Sequence, residues 1–324
     1  MTQSVPASDH SSESAAWVLI AGLLLVVGAL QLRSPLPIEP ATLATLLTAC
    51  AALGGTAIFY RRFRYQENFA IICIGLMQVL LFSAIGSVMS YMLAREGGAL
   101  WDARLESWDR ALGFDWLSYV HWVDRSPALT GLLHLSYGSL IPQIIVLVLA
   151  LGFTLRVAEL RTVMLAAILC GTVCILVSAF VPAISYPAYL GVTGSDFQYV
   201  DPWGGYVHLA DLKALRDGTF AELRLSSMQG IITFPSFHAG LSLVAMWGFW
   251  ASRMAWLRWP GMTLAALTIA ATPVDGGHYL VDVLAGLAIA AVSIAVAVRA
   301  VRWTPALPWF TASPSHHSHA ASGR

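Results

Sequence analysis

His278 and Asp282 stand four residues apart at the mouth of an apolar segment, in the run Gly276-Gly277-His278-Tyr279-Leu280-Val281-Asp282. On a helix that spacing puts both side chains on one face. A carboxylate so placed accepts from one ring nitrogen, fixes the tautomer and leaves the other nitrogen as an outward lone pair, which makes the imidazole a nucleophile or a base. Upstream, Phe234-Pro235-Ser236-Phe237-His238-Ala239-Gly240 sets a second histidine just after Pro-Ser at a predicted helix start. Unpaired amides and the helix dipole favour a bound anion there, and a protonated His238 can hand its proton to a leaving oxygen. An ionisable side chain inside a membrane helix costs about 2.5 to 3.5 kcal/mol on insertion scales, so this constellation argues for chemistry. Two chemistries fit the residue types: phosphoryl transfer through histidine, or a zinc site using His238, His278 and Asp282 as ligands.

The elements that must position these residues belong to a membrane. Of 324 residues, 57% are hydrophobic and 11% charged, the formal net charge is zero, and the mean hydropathy is +0.69. This is the composition of an integral membrane protein, and no basic or acidic excess points to a nucleic-acid partner. Eight apolar segments, near 16–32, 41–60, 69–94, 129–153, 162–182, 237–252, 259–274 and 279–301, predict eight spans, since roughly 20 apolar residues cross a bilayer. The run at 259–274 is short and starts in the interface. The expected fold class is all-α: a polytopic membrane helix bundle of about eight transmembrane helices with interfacial amphipathic helices. Residues 65–303 form its six-helix core and 16–64 two additional helices, between a flexible tail at 1–15 and a disordered tail at 304–324. The run from Ala16 to Leu32 lacks a basic n-region, so it reads as a retained first span rather than a signal peptide.

Arginine placement predicts the topology. Arg61, Arg62 and Arg64, then Arg156 and Arg161, Arg253 and Arg258, and Arg299 and Arg302 fall on alternate connections and after the last span. The positive-inside rule then sets both chain ends in the cytoplasm and both histidine motifs on the outer side. No internal repeat is evident, which weakens a transporter reading. Cys50, Cys73, Cys170 and Cys174 all lie in apolar runs and read as packing residues.

Pro235-Ser236-x-His238, one transmembrane hairpin, then His278-x-x-x-Asp282 leading into Val283-Leu284-Ala285-Gly286 resembles the type 2 phosphatidic acid phosphatase superfamily. The resemblance spans roughly residues 65 to 303, and is closest to the inositol phosphorylceramide synthase-like (inositolphosphotransferase) branch, which holds many bacterial members. It implies that His278 forms a phosphohistidine, Asp282 orients it, His238 protonates the leaving group and Ser236 helps hold the phosphoryl group, with no metal or other cofactor. It also implies residence in a bacterial inner membrane with the active site on the outer face. The superfamily's phosphatases carry Gly between Ser and His, an upstream Lys/Arg-Pro motif, and Ser-Arg shortly before the second histidine. Here Phe237 and Ala271-Thr272 stand at two of these positions and no Lys/Arg-Pro pair is evident. The synthase-like branch tends to have a bulky residue and Thr there, which makes Phe237 and Thr272 candidate substrate contacts. The run Trp108-Asp109-Arg110-Ala111-Leu112-Gly113-Phe114-Asp115-Trp116 is similar to that branch as well, so Arg110 is the first candidate for the missing phosphate cation.

Elsewhere the residues carry weaker signals. Trp101, Leu105, Trp108 and Leu112 recur at helical spacing, with Asp102, Arg104, Glu106 and Asp109 elsewhere on the wheel. This predicts an interfacial helix, aromatic side down, acting as a spacer or as a lip that guides lipid. Prolines end a helix in Phe180–Pro187, on the side of the motifs, and Tyr186 there is a further candidate substrate contact. The loop that follows holds His208 and the only lysine, Lys213, and 211–228 reads as a weakly helical, solvated face. His121 and His134 are isolated and read as structural; Tyr137 and Gln143 as bonded to neighbouring helices. Asp275 would repel phosphate unless it pairs or positions an acceptor hydroxyl, and His316, His317 and His319 sit in the disordered tail.

The expected activity is transfer of a phospho-headgroup from a membrane lipid phosphoester to an alcohol such as a polyol. With water as acceptor the chain would be a lipid phosphate phosphatase acting on phosphatidate or polyprenyl phosphates. A non-catalytic scaffold or a transporter is the reading from another class.

Overall fold

The computed structural model describes residues 10–224 and 228–303, which hold thirteen α-helices and no strand beyond one isolated bridge between Ile38 and Leu223. The apolar segments become α1 (His10–Arg33), α2 (Pro40–Phe59), α3 (Glu67–Arg95), the pair α6 (Pro127–Gly138) and α7 (Leu140–Phe153), α8 (Val157–Ser178), α11 (Phe237–Ala251), α12 (Ala255–Asp275) and α13 (Leu280–Trp303). Short helices occupy the connections: α4 (Asp102–Ala111), α5 (Trp116–Asp124), α9 (Tyr186–Leu190) and α10 (Leu209–Asp217). The chain is therefore an all-α polytopic bundle.

Length and apolarity qualify five helices to cross a membrane: α1, α2 with its π-helical extension Tyr60–Arg64, α3, α8 and α13. A sixth is added if α6 and α7, bent by 54° at Ser139, make one broken span. The expected count of eight is not reached on these grounds. α11 has only 15 residues, about 22 Å of helix, and α12 is diluted by Arg258 and by internal Pro260 and Pro273. α1 begins at His10, inside the segment expected to be a tail. The 304–324 tail, with His316, His317 and His319, lies outside the described residues.

α11 is mostly enclosed by other helices, with Trp250 exposed near its end. It packs against α7, α8, α12 and α13, burying Val244, Ala245 and Phe249 among Leu147, Val163 and Leu257. Cys170 and Cys174 are buried on α8 in the same core. The crossing of α11 and α13 is set by glycine. A Cβ on Gly286 would collide with the Ser236 carbonyl, and one on Gly240 would lie 3.0 Å from the Gly286 carbonyl. Gly240 follows Ser236, and Gly286 follows Asp282, by one helical turn, so this close approach brings the two motifs together.

Candidate active site

α12 ends at Asp275, and Gly276 and Gly277 carry the chain across to α13. Gly277 has φ +64°, and a Cβ there would meet Gly205 and Pro187 at 2.9 and 2.8 Å, so only glycine fits. Its carbonyl accepts from Tyr186 N at 2.8 Å. The next residue, His278, is buried. Its Nδ1 lies 3.2 Å from Asp282 Oδ2, the oxygen that also accepts from Tyr279 N at 3.0 Å. Asp282 thus closes the first turn of α13 as an acidic residue reaching back to the N-cap amide, while holding the imidazole with its proton on Nδ1. Asp282 Oδ1 is buried without a hydrogen-bond partner. Burial pushes His278 down to about 4 against the pull of the Thr233 backbone, so the ring is neutral near pH 7.

The start of α13 is held from outside by α4. Asp109 accepts from Leu280 N at 2.8 Å and Val281 N at 2.9 Å, and Asp102 from Tyr279 Oη at 2.9 Å and Ile184 N at 3.1 Å. Both acids are buried with Leu105 between them, whereas Trp108 and Leu112 are exposed. The helix wheel therefore turns its acids, and not its aromatic stripe, into the protein. Asp109 follows Asp102 by seven positions, two helical turns, which puts both acids on one face of α4. α4 works as a clamp on the histidine loop.

His238 is the second residue of α11. Ser236 caps that helix, its Oγ accepting from Ala239 N at 3.3 Å, and its own N donates to the Asp282 carbonyl at 3.0 Å. The His238 ring makes no hydrogen bond to any described residue. It is held flat against Tyr137 of α6, centroids 4.6 Å apart and planes 11° from parallel. His238, His278 and His208 line one cavity of about 180 Å³, with Tyr137, Trp203 and Thr233 among its other walls. His208 was not singled out as functional in the sequence. Its Nε2 faces the Ile184 carbonyl at 2.9 Å and so donates, while Nδ1 is buried with no partner. Burial lowers its affinity for a proton, opposed by the Ile184 and Gly204 backbone.

The remaining candidates fall outside this cavity's walls. Arg110 is exposed and its guanidinium is bound to Glu106 at 2.7 Å, so the structure does not bring it to the histidines. Tyr186 is buried between Trp116 and Tyr279, at centroid distances of 5.4 and 4.4 Å, and supports the histidine loop from behind. Phe237 turns from the cavity into the core against Phe82. Thr272 is fully buried and donates to the Thr268 carbonyl at 2.8 Å. Ser236 is fully buried as the cap. No Lys or Arg is among the described residues that line the cavity.

A second histidine and carboxylate meet nearby. His134 Nδ1 of α6 lies 2.8 Å from Asp275 Oδ1, so His134 is not isolated as the sequence suggested, and Asp275 pairs with a histidine. They line another cavity of about 300 Å³, which shares His238, Tyr137, Trp203 and Gly204 with the first. Gln143 bonds across to Thr268 Oγ1 of α12 at 3.0 Å, as expected of a helix contact. Asp211 of α10, expected on a solvated face, accepts from Tyr91 Oη at 2.7 Å.

Among the described residues no three His, Cys, Asp or Glu side chains are grouped to hold a metal ion. No curated protein and no solved structure matches the chain. A family model does, over residues 103–296, a stretch that runs from the second residue of α4 through most of α13 and holds every histidine and carboxylate of the two cavities. That match covers more than half of the chain, and with the enclosed histidine pair it makes this protein a member of the PAP2 superfamily.

Proposed function

We propose that this protein is an integral membrane phosphotransferase that takes a phospho-headgroup from a lipid phosphoester onto His278 and passes it to an alcohol. The observation that carries this reading is His278 itself: buried, neutral, fixed at Nδ1 by Asp282 and lining a cavity with His238. Nε2 attacks phosphorus in line, the bond from phosphorus to the lipid oxygen breaks, and His238 supplies the proton to that oxygen. The acceptor hydroxyl then attacks the phosphohistidine. Its proton goes to His238, and the electron pair of the P–N bond returns to His278.

Without Lys or Arg on the described cavity walls, the phosphoryl oxygens are met by the third histidine. His208 lines the cavity and its buried Nδ1 has no hydrogen-bond partner, so a phosphate oxygen that carries a proton would suit this ring. The resemblance of Phe237, Thr272 and the Trp108–Trp116 run to the inositolphosphotransferase branch supports transfer over hydrolysis. Membership in a phosphatase superfamily favours water as the second possible acceptor, acting on phosphatidate or polyprenyl phosphates. The arginines on alternate connections support an orientation with both ends of the chain in the cytoplasm of a bacterial cell and the histidines at the outer face of its inner membrane.

The test uses the purified chain in lipid micelles with diacylglycerol phosphate or a headgroup-labelled phospholipid, with and without an added alcohol. Transfer of the phospho group to the alcohol, in a product that needs both the alcohol and His278, is expected. Phosphate release indifferent to the alcohol would make the chain a phosphatase, and activity that survives His278→Ala would remove His278 from the chemistry.

A further inference from the structure

The two cavities that meet at His238 differ in charge. The first is walled by His208, His238 and His278 and has no carboxylate among its described lining residues. The second, of about 300 Å³, is walled by Asp201, Asp275 and His134 with the rings of Tyr137 and Trp203, and reaches the same His238. A phosphate dianion suits the histidine cavity and is repelled from the acidic one.

The carboxylates are also short of partners. Asp275 is 7% exposed; its Oδ1 meets His134 Nδ1, but Oδ2 makes no hydrogen bond to any described residue. The exposed Asp201 side chain makes none to any described residue. Asp275 Oδ2 belongs to a residue on the wall of the cavity and can accept from a ligand that donates. Two carboxylates accept from several hydroxyls at once. Flat aromatic walls suit the C–H faces of a compact ring or chain rather than another charge.

We propose that this second cavity is the acceptor site and that it takes a polyhydroxy alcohol, with Asp275 and Asp201 accepting hydrogen bonds from its hydroxyls and one further hydroxyl set beside His238. The inference rests on His278 as the phosphorylated residue. That hydroxyl gives its proton to His238, its oxygen bonds to phosphorus, and the P–N bond to His278 breaks with its electron pair returning to the ring. Asp275, Asp201 and His134 stay unchanged through the step; they position the acceptor. A simple monohydric alcohol has nothing to offer the second carboxylate, so the cavity discriminates by hydroxyl number.

The experiment uses the full chain in micelles with diacylglycerol phosphate labelled in its phosphate, and glycerol, inositol or ethanol as acceptor. Free phosphate and alcohol phosphate are measured together, for the native chain, Asp201→Asn, Asp275→Asn and His278→Ala. Glycerol or inositol is expected to be used at least tenfold better than ethanol. Each carboxylate variant is expected to raise the KM for the polyol tenfold or more, out of proportion to any change in the KM for the lipid, and to shift product toward free phosphate. Equal use of ethanol and polyol, or variants that raise the lipid KM instead, would overturn the acceptor assignment. Lipid cleavage that needs His278 but never yields a polyol phosphate also refutes it, while leaving the His278 reading intact. Absent cleavage, or cleavage surviving His278→Ala, refutes that underlying reading. Asp201 is exposed, so its variant carries the test if Asp275→Asn fails to fold.

Discussion

Tyr137 and His238 lie face to face, 4.6 Å between centroids, although 101 positions (238 − 137) separate them in the chain. No hydrogen bond to a described residue holds the His238 ring, so its aim depends on this stack and on the helix start beneath it. Tyr137→Ala removes the face. A misplacement of about 1 Å in a reacting group costs on the order of 10²-fold in rate. A loss of that size in kcat is expected, with Tyr137→Phe keeping most of the activity; equal losses in both would show that the hydroxyl matters rather than the ring.

Asp282→Asn separates orientation from charge. The carboxylate serves Tyr279 N and His278 Nδ1 through one oxygen, and an amide presents one acceptor and one donor, so the ring is free to take the wrong tautomer. Loss of turnover by about 10²- to 10⁴-fold is expected, the range of a positioned proton-transfer group. Phosphorus NMR of the trapped protein is expected to show a phosphohistidine signal in the native chain and a much weaker one in the variant.

The burial of His278 gives a pH signature. With the ring held at about 4, kcat/KM is expected to stay free of His278 protonation through pH 6.5, where an ordinary histidine charges, and to fall only as pH approaches 4. Stability follows the same group. Above about 6.5 the ring is neutral folded and unfolded; below it the unfolded chain takes a proton that the folded chain refuses, so stability is lost as pH falls from about 6.5 to 4. Thermal denaturation at pH 7 and pH 5 is expected to show a smaller drop in His278→Gln than in the native chain.

Neighbouring residues on α4 are expected to answer oppositely. Asp109→Ala strips two acceptor contacts from the first turn of α13, a loss of about 1–2 kcal/mol by comparison with helix caps, and turnover is expected to fall with it. Arg110→Ala removes an exposed pair with Glu106, of a kind that water and salt screen, and kcat/KM is expected to stay within twofold. A large effect at Arg110 on the lipid KM would restore it as a phosphate contact.

Gly286→Ala tests the helix crossing. The added Cβ collides with the Ser236 carbonyl, and overpacking of this kind costs about 1–3 kcal/mol. Because the same contact joins Ser236 to Asp282, a lower melting temperature and lower turnover are expected together.

The sequence by itself determined what is local. Apolar runs long enough to cross a bilayer fixed the helices, and the spacing of His278 and Asp282 fixed their pairing, since one helical turn brings them together in any surroundings. Pro235 and Ser236 marked the start of α11 because an N-cap signal is read within a few residues. What only the tertiary structure decided are contacts between segments distant in the chain. Asp102 and Asp109 read as solvent-facing on an isolated wheel, yet backbone amides of α13 and of the 184–185 turn draw them inside. Arg110 looked like a phosphate cation until its helix was oriented. His208, Tyr137 and the His134–Asp275 pair carry no motif; their meaning comes from the bend at Ser139 and the glycine-packed crossing of α11 and α13, which depend on how whole helices fill space and not on any short stretch of sequence.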